Sequence, residues 1–193
     1  MGITPKELAE VGDRPLDFVT HSDPAIRRLA LSAMASEMAN DGLRSAALAA
    51  LTGDAEARVR AEAAEVLGGA GAAATESLLA ALGDPSALVI EAAVTALGEL
   101  ADPATVDVLS GLARDHADKL VREAAVAALG AIGDDTALPL LLELATTGAP
   151  QIRRRSLVAL SVFEGSEVDA VLNAALEDRN PMVREAAEMV ARD

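Results

Sequence analysis

The sequence predicts an all-α fold, a right-handed α-solenoid (α-α superhelix) of about six helical pairs, and three observations carry that reading. First, an Arg preceded by Val or Ile and followed by small apolar residues recurs throughout. The series is Arg27, Arg60, Ile90 in place of Arg, Arg122, Arg153 and Arg184, at spacings of 33, 30, 32, 31 and 31 residues. A period of this length marks repeats that bury their apolar faces by stacking on their neighbours. Second, apolar residues follow the Arg position at helical spacing. Three and seven residues on come Ala30 and Met34, Ala63 and Leu67, Ala93 and Leu97, Ala125 and Leu129, Ser156 and Leu160, and Ala187 and Ala191. Leu31, Ala64, Val94, Val126 and Leu157 stand between them, so each repeat presents one buried stripe. Third, 51% of the residues are hydrophobic, yet Phe18 and Phe163 are the only aromatic ones. The core is therefore built from Ala, Leu, Val, Ile and Met, and such small side chains imply close helix packing.

The elements follow in order. Gly12 and Pro15 are expected to split the first helix into Pro5 to Val11 and Leu16 to His21, inside an N-terminal cap over residues 1–21. Asp23-Pro24, Asp84-Pro85 and Asn180-Pro181 suit the first turn of Arg-bearing helices, and Gly68, Gly98 and Gly130 are expected to end them. A second apolar segment fills the rest of each period, over Thr75 to Leu82, Thr105 to Leu112, Ala137 to Leu144 and Val168 to Leu176. Two helices joined by short turns make an antiparallel pair. In the last repeat Glu188 replaces a stripe residue ahead of Arg192-Asp193, as expected of a polar cap. No linker interrupts residues 1–193, which are expected to form one repeat domain.

Charge and composition restrict function. Against 31 acidic residues stand 16 Lys and Arg, a net charge of −15, which disfavours phosphate backbones and anionic lipid as partners. With no Cys, disulfides, thiolate metal sites and Cys nucleophiles are excluded. No apolar run approaches the roughly 20 residues that span a bilayer, and the first residues lack a signal-peptide pattern. The cytoplasm is the expected compartment.

Two runs tie these features to a known family. Asp84 to Gly98 reads Asp-Pro-x-x-x-Val-x-x-Ala-Ala-x-x-Ala-Leu-Gly, and Val121 to Gly130 reads Val-Arg-x-x-Ala-x-x-Ala-Leu-Gly. They resemble HEAT repeats, specifically the short HEAT-like repeats of phycobilin (PBS) lyases, over about residues 16–192. The resemblance implies a ladder of hydrogen bonds in which Arg27, Arg60, Arg122, Arg153 and Arg184 and the turn residues Asp54, Asp84 and Asp178 link successive repeats. The same turn slot holds His21, His116 and Thr147 in the other repeats, which gives both histidines of the protein a structural place.

Enzymatic members of the family supply the competing readings. The hydroxylase branch uses His-Glu pairs as iron ligands, whereas here the pairs are His21-Ser22 and His116-Ala117. Three repeats apart, with packed helices roughly 8–10 Å from one another, the two histidines are expected to share no metal ion. Glycosylase members need a basic, aromatic groove. No nucleophile with an adjacent base, phosphate loop or metal cluster is apparent, so no catalytic residue, metal or cofactor is expected. A lyase-type subunit acting on a tetrapyrrole-bearing protein remains the alternative.

The leading expectation is a non-catalytic protein-binding scaffold or adaptor. The resemblance implies that the second helix of each pair lines a concave face. On that register Arg28, Glu62, Glu65, Glu91, Glu123, Arg154, Arg155 and Val158 are the expected contact residues for another protein or peptide. Charge is segregated among them, with an acidic middle and a basic spot at Arg154-Arg155. Those two arginines either balance local acids or hold a partner carboxylate through paired hydrogen bonds.

Overall fold

The structure, a computed structural model, describes residues 5–191, and among them are twelve α-helices and no strand. The helices fall into two compact units divided between Leu100 and Ala101. The first unit holds α1 (Pro5–Asp13), α2 (Pro24–Ala33), α3 (Asp41–Gly53), α4 (Ala57–Leu67), α5 (Thr75–Ala81) and α6 (Ala87–Leu100). The second holds α7 (Val106–Asp115), α8 (Lys119–Ile132), α9 (Leu138–Thr147), α10 (Pro150–Leu160), α11 (Ser166–Ala175) and α12 (Pro181–Val190).

Helix starts are written in short side chains that accept the orphan N–H groups of the first turn. Asp23 caps α2 through the amide of Ala25, Asn40 caps α3 through Gly42, Asp118 caps α8 through Leu120, and Asn180 caps α12 through Met182. Short 3-10 turns open several first helices of a pair, at Pro103–Thr105 before α7 and Asp135–Ala137 before α9. These turns account for the one-residue offsets from the expected spans.

Within the first unit α2 packs on α4 and α4 on α6; within the second, α8 packs on α10 and α10 on α12. The helices that carry the Arg register, Ile90 standing in for Arg on α6, thus form a continuous layer in each unit. Their stripe is fully buried at Leu31, Met34, Leu67 and Leu97 in one unit and at Leu129, Leu157 and Leu160 in the other. Leu78 of α5, Leu109 of α7 and Leu141 of α9 meet that layer from the partner helices and are equally buried. Each such leucine contributes roughly 1.5–3 kcal/mol by leaving water.

Two sequence expectations are corrected here. Helix α1 runs through Gly12 to Asp13, and a 3-10 turn at Pro15–Asp17 follows in place of a second helical piece. Gly98 and Gly130 do not end helices: both are buried inside α6 and α8, and α8 ends three residues later at Gly133, whose φ of 67° is the left-handed cap. At Gly130 the reason is packing. A Cβ on Gly130 would lie 2.7 Å from both Cα and Cβ of Ala159, so glycine here sets the approach of α10 to α8. Gly68, which does end α4, plays a related part, since a Cβ there would strike the Glu99 carboxylate and sit 3.4 Å from the Ala96 Cα of α6.

The same substitution should therefore have opposite signs at two helical glycines. Gly130→Ala is expected to lose about 1–3 kcal/mol through overpacking. Gly111→Ala in α7, where an added Cβ meets nothing within 4 Å, should gain about 0.5–1 kcal/mol from helix propensity. Thermal unfolding of both variants checks the pair; equal shifts would show that α8 and α10 do not touch at Gly130.

Candidate functional site

Each ladder Arg sits in the first turn of its helix, and its guanidinium is used on two edges. One edge closes the turn of its own repeat. Arg27 Nη1 donates to the carbonyls of His21 (2.8 Å) and Ser22 (3.3 Å), and Arg60 Nη1 to those of Asp54 (2.9 Å) and Ala55 (3.3 Å). The other edge grips the carboxylate in the following repeat. Arg27 reaches Asp54 through Nε at 2.6 Å and Nη2 at 2.7 Å, Arg60 reaches Asp84 at 2.7 and 2.9 Å, and Arg153 reaches Asp178 at 2.9 and 2.7 Å. Both partners are largely withdrawn from water, with side-chain exposures of 13% and 8% for Arg27 and Asp54. Such paired, charge-assisted bonds are stronger than neutral ones and fix orientation.

The aspartate does more than face the Arg. Asp54, Asp84 and Asp178 each accept the amide two residues on, from Glu56, Ser86 and Asn180 at 2.9, 2.8 and 2.7 Å. The backbone carbonyls of Asp54 and Asp178 also receive Nη1 of Arg60 and Arg184. One residue thus joins the preceding Arg, its own turn and, in two repeats, its own Arg.

His21 and His116 fill the slot by imitating half of this role. Nδ1 of each accepts the amide two residues on, from Asp23 at 3.0 Å and Asp118 at 3.1 Å. An imidazole nitrogen offers one lone pair and cannot take a bidentate guanidinium. His21 belongs to the first repeat, and the residue in the Arg register one repeat before His116 is Ile90. Ile90 itself is 7% exposed and joins the apolar packing of the first unit. Arg122 keeps only the first edge, donating Nη1 to the carbonyls of His116 and Ala117, because the next slot holds Thr147.

The expected contact residues are exposed or half-buried on α2, α4, α6, α8 and α10. In the first unit Arg28 of α2 pairs with Glu62 of α4 at 3.1 Å. Arg28, Glu62 and Glu65 line an open recess of about 230 Å³, together with Arg58, Ala61 and Leu88. Partial desolvation and then the charge of Glu62 push the Glu65 carboxyl above its ordinary value; Arg28 opposes the shift, and Glu99 and Glu91 add to it. In the second unit Glu123 is half-buried on α8, Arg154 is exposed on α10, and Arg155 and Val158 are half-buried beside it. Nε of Arg155 is sealed from solvent without a hydrogen-bond partner. Ala61, Ala92 and Ala186, which the same register places outward, are buried instead, because small residues there let neighbouring helices close over them. The register alone could not show Arg58 or Glu99 joining the acidic face, since both lie outside the positions just after the Arg.

Among the described residues no group of three or more His, Asp or Glu could hold a metal ion, and no helix is long and apolar enough to cross a membrane.

Antiparallel helical pairs held by Arg–Asp rungs define an α-helical repeat protein of the α-solenoid class. Residues 75–161 match the family model of HEAT repeats. Comparison with curated sequences gave no match. Solved structures with the same fold include YibA of Escherichia coli (TM-score 0.69, 18% identity, covering 98% of this chain and 75% of that one). One subunit of the CpcE–CpcF complex of phycocyanin lyase from Nostoc sp. PCC7120 is also similar (0.67, 23%, covering 97% and 75%). So is a designed armadillo repeat protein in complex with the peptide (KR)4 (0.61, 18%, covering 96% and 98%).

The rungs predict a pH dependence. Hydrogen bonds from Arg27, Arg60 and Arg153 hold the carboxyls of Asp54, Asp84 and Asp178 below their ordinary value. Their stabilisation is therefore complete above the ordinary Asp range and drains away as pH falls below about 4. Asp54→Asn is expected to cost about 1.5–3 kcal/mol at neutral pH and to flatten the acid limb of the stability curve. Denaturant unfolding from pH 7 to 2.5 checks it; an unchanged midpoint at neutral pH would mean that the rung adds no net stability.

Proposed function

We propose that this protein is a non-catalytic binding scaffold that holds a basic segment of another protein against the outward face of α2, α4 and α6. The observation that carries the reading is the crowding of Glu62, Glu65, Glu91 and Glu99 on that face. Partial burial and the repulsion of these neighbours raise the Glu65 carboxyl despite Arg28. Rigidly packed helices cannot spread these charges apart, so a row of Lys or Arg side chains would lower the energy of the face on binding. The net charge of −15 adds long-range attraction for the same partner. The designed repeat protein of the same fold that was solved with the alternating Lys-Arg peptide supports this choice of partner chemistry.

In the second unit Arg154 and Arg155, with Val158 beside them and Glu123 on α8, offer a separate polar contact, suited to an acidic residue of a partner. The alternative, a lyase-type subunit acting on a tetrapyrrole-bearing protein, draws support from the likeness to the phycocyanin lyase complex. It requires chromophore binding, which visible absorbance would reveal on mixing with a bilin.

Fluorescence anisotropy with a labelled alternating Lys-Arg peptide tests the first reading. Binding should weaken steeply with salt, and joint replacement of Glu62, Glu65 and Glu91 by Gln should weaken it about tenfold or more, at roughly 1 kcal/mol or less for each exposed pair. The replacement Glu65→Gln alone should raise the melting temperature at pH 7, because ionising this group is disfavoured in the fold. That gain should vanish below about pH 4, where the carboxyl is protonated. Peptide binding that ignores the triple replacement would move the site elsewhere.

A further inference from the structure

We infer that Arg122 is a receptor for a carboxylate supplied by a partner peptide, with Thr147 as the residue that leaves the site open. The inference rests on the protein's own repeats, which show three times what this guanidinium is shaped to hold. In the repeats of Arg27 and Arg60, Nη1 is tied to the carbonyls six and five residues back. The guanidinium is planar, so those bonds turn Nε and Nη2 toward the next repeat, where an Asp accepts both.

Arg122 makes the same anchoring bonds, to His116 and Ala117. Its Nε and Nη2 have no acceptor among the described residues. The residue in the Asp register is Thr147, whose hydroxyl is turned away to donate to the Glu143 carbonyl at 2.9 Å. Thr147 does not cap its own turn either, since α10 starts at Ala149-Pro150 without a side-chain cap.

The free edge of Arg122 is not sealed from solvent: among the described residues the side-chain polar atoms both sealed and unpartnered are Thr75 Oγ1, Arg155 Nε and Ser156 Oγ. A preformed donor pair held by backbone bonds loses little entropy on binding. A carboxylate, with two oxygens at the matching spacing, is the group the other rungs select at 2.6–2.9 Å. Either an Asp or Glu residue or the terminal carboxylate of a peptide offers it. Arg184 is anchored in the same way to Asp178 at 2.7 Å and is silenced in the test.

The experiment uses the full-length protein with Arg184→Gln, and follows the Arg122 Nε–H resonance by NMR. Two peptides of equal length are titrated: one acetylated and amidated with a central Glu, the other free of acidic residues but with a free C-terminal carboxylate. Saturable movement of the resonance is expected with at least one, and the one that binds tells which source of carboxylate fits. Thr147→Asp should supply the missing carboxylate from within, raising the melting temperature and weakening the peptide about tenfold or more, the worth of one charge-assisted pair. Thr147→Ser should bind as the parent does, and Arg122→Lys, which keeps the charge but not the fork, should weaken binding similarly to Thr147→Asp. No saturable movement with either peptide would overturn the inference. So would a more stable Thr147→Asp variant that binds unchanged. Binding of the alternating Lys-Arg peptide should not respond to Thr147→Asp, which separates failure here from failure of the acidic-face reading.

Discussion

The bidentate grip of an Arg on the Asp of the following repeat is the interaction on which the order within each unit depends. A core of Ala, Leu and Val buries area but has little preference for one rotation or slide of a helix over another, because dispersion and the hydrophobic effect are non-directional. A planar fork with a carboxylate at 2.6–2.9 Å has one solution. It is tied at the same time to the carbonyls of its own turn, so the position of one turn is passed to the next through a rigid group. The close contacts at Gly130 and Gly68 need glycine at those two positions, since a Cβ there would strike Ala159 or the Glu99 carboxylate.

Charge gathers away from the turns that carry the rungs, on the exposed sides of the helices of the first unit. Glu62, Glu65, Glu91 and Glu99 make no contribution to the stripe that packs the first unit. The Glu65 carboxyl is raised above its ordinary value by desolvation and by the neighbours that share its face.

Much of this was legible in the sequence, for reasons that particular residues make plain. The 31-residue spacing of Arg122, Arg153 and Arg184 and the helical stripe behind each fix helix number and the buried side. Asp23-Pro24 and Asn180-Pro181 announce helix starts because capping is local chemistry. Gly130 reads as an end because a glycine that turns the backbone and a glycine that admits a neighbouring backbone are written identically. Only the position of Ala159, from another helix, separates them. In the same way Ala61 and Ala92 share a register with Arg28 and Glu62 but are covered, since burial of a small residue depends on how closely the next helix comes. The slot residues His21 and His116 could be placed by spacing, yet their use of Nδ1 in the turn is a matter of rotamer.

The departures from the repeat are therefore more informative than the repeat. An Asp in the slot has two tasks, accepting the amide two residues on and accepting the fork of the preceding Arg. His116 performs the first, and the register before it holds Ile90, so nothing there asks for the second. Thr147 performs neither, and yet the Arg before it has been kept and is still anchored by backbone bonds. Loss of only the carboxylate leaves an oriented cation in an acidic protein. Orientation without a partner is what distinguishes a recognition group from a surface charge, because the cost of ordering has already been met within the fold. The half-rung at Arg122 thus keeps the orienting bonds of a rung without its carboxylate.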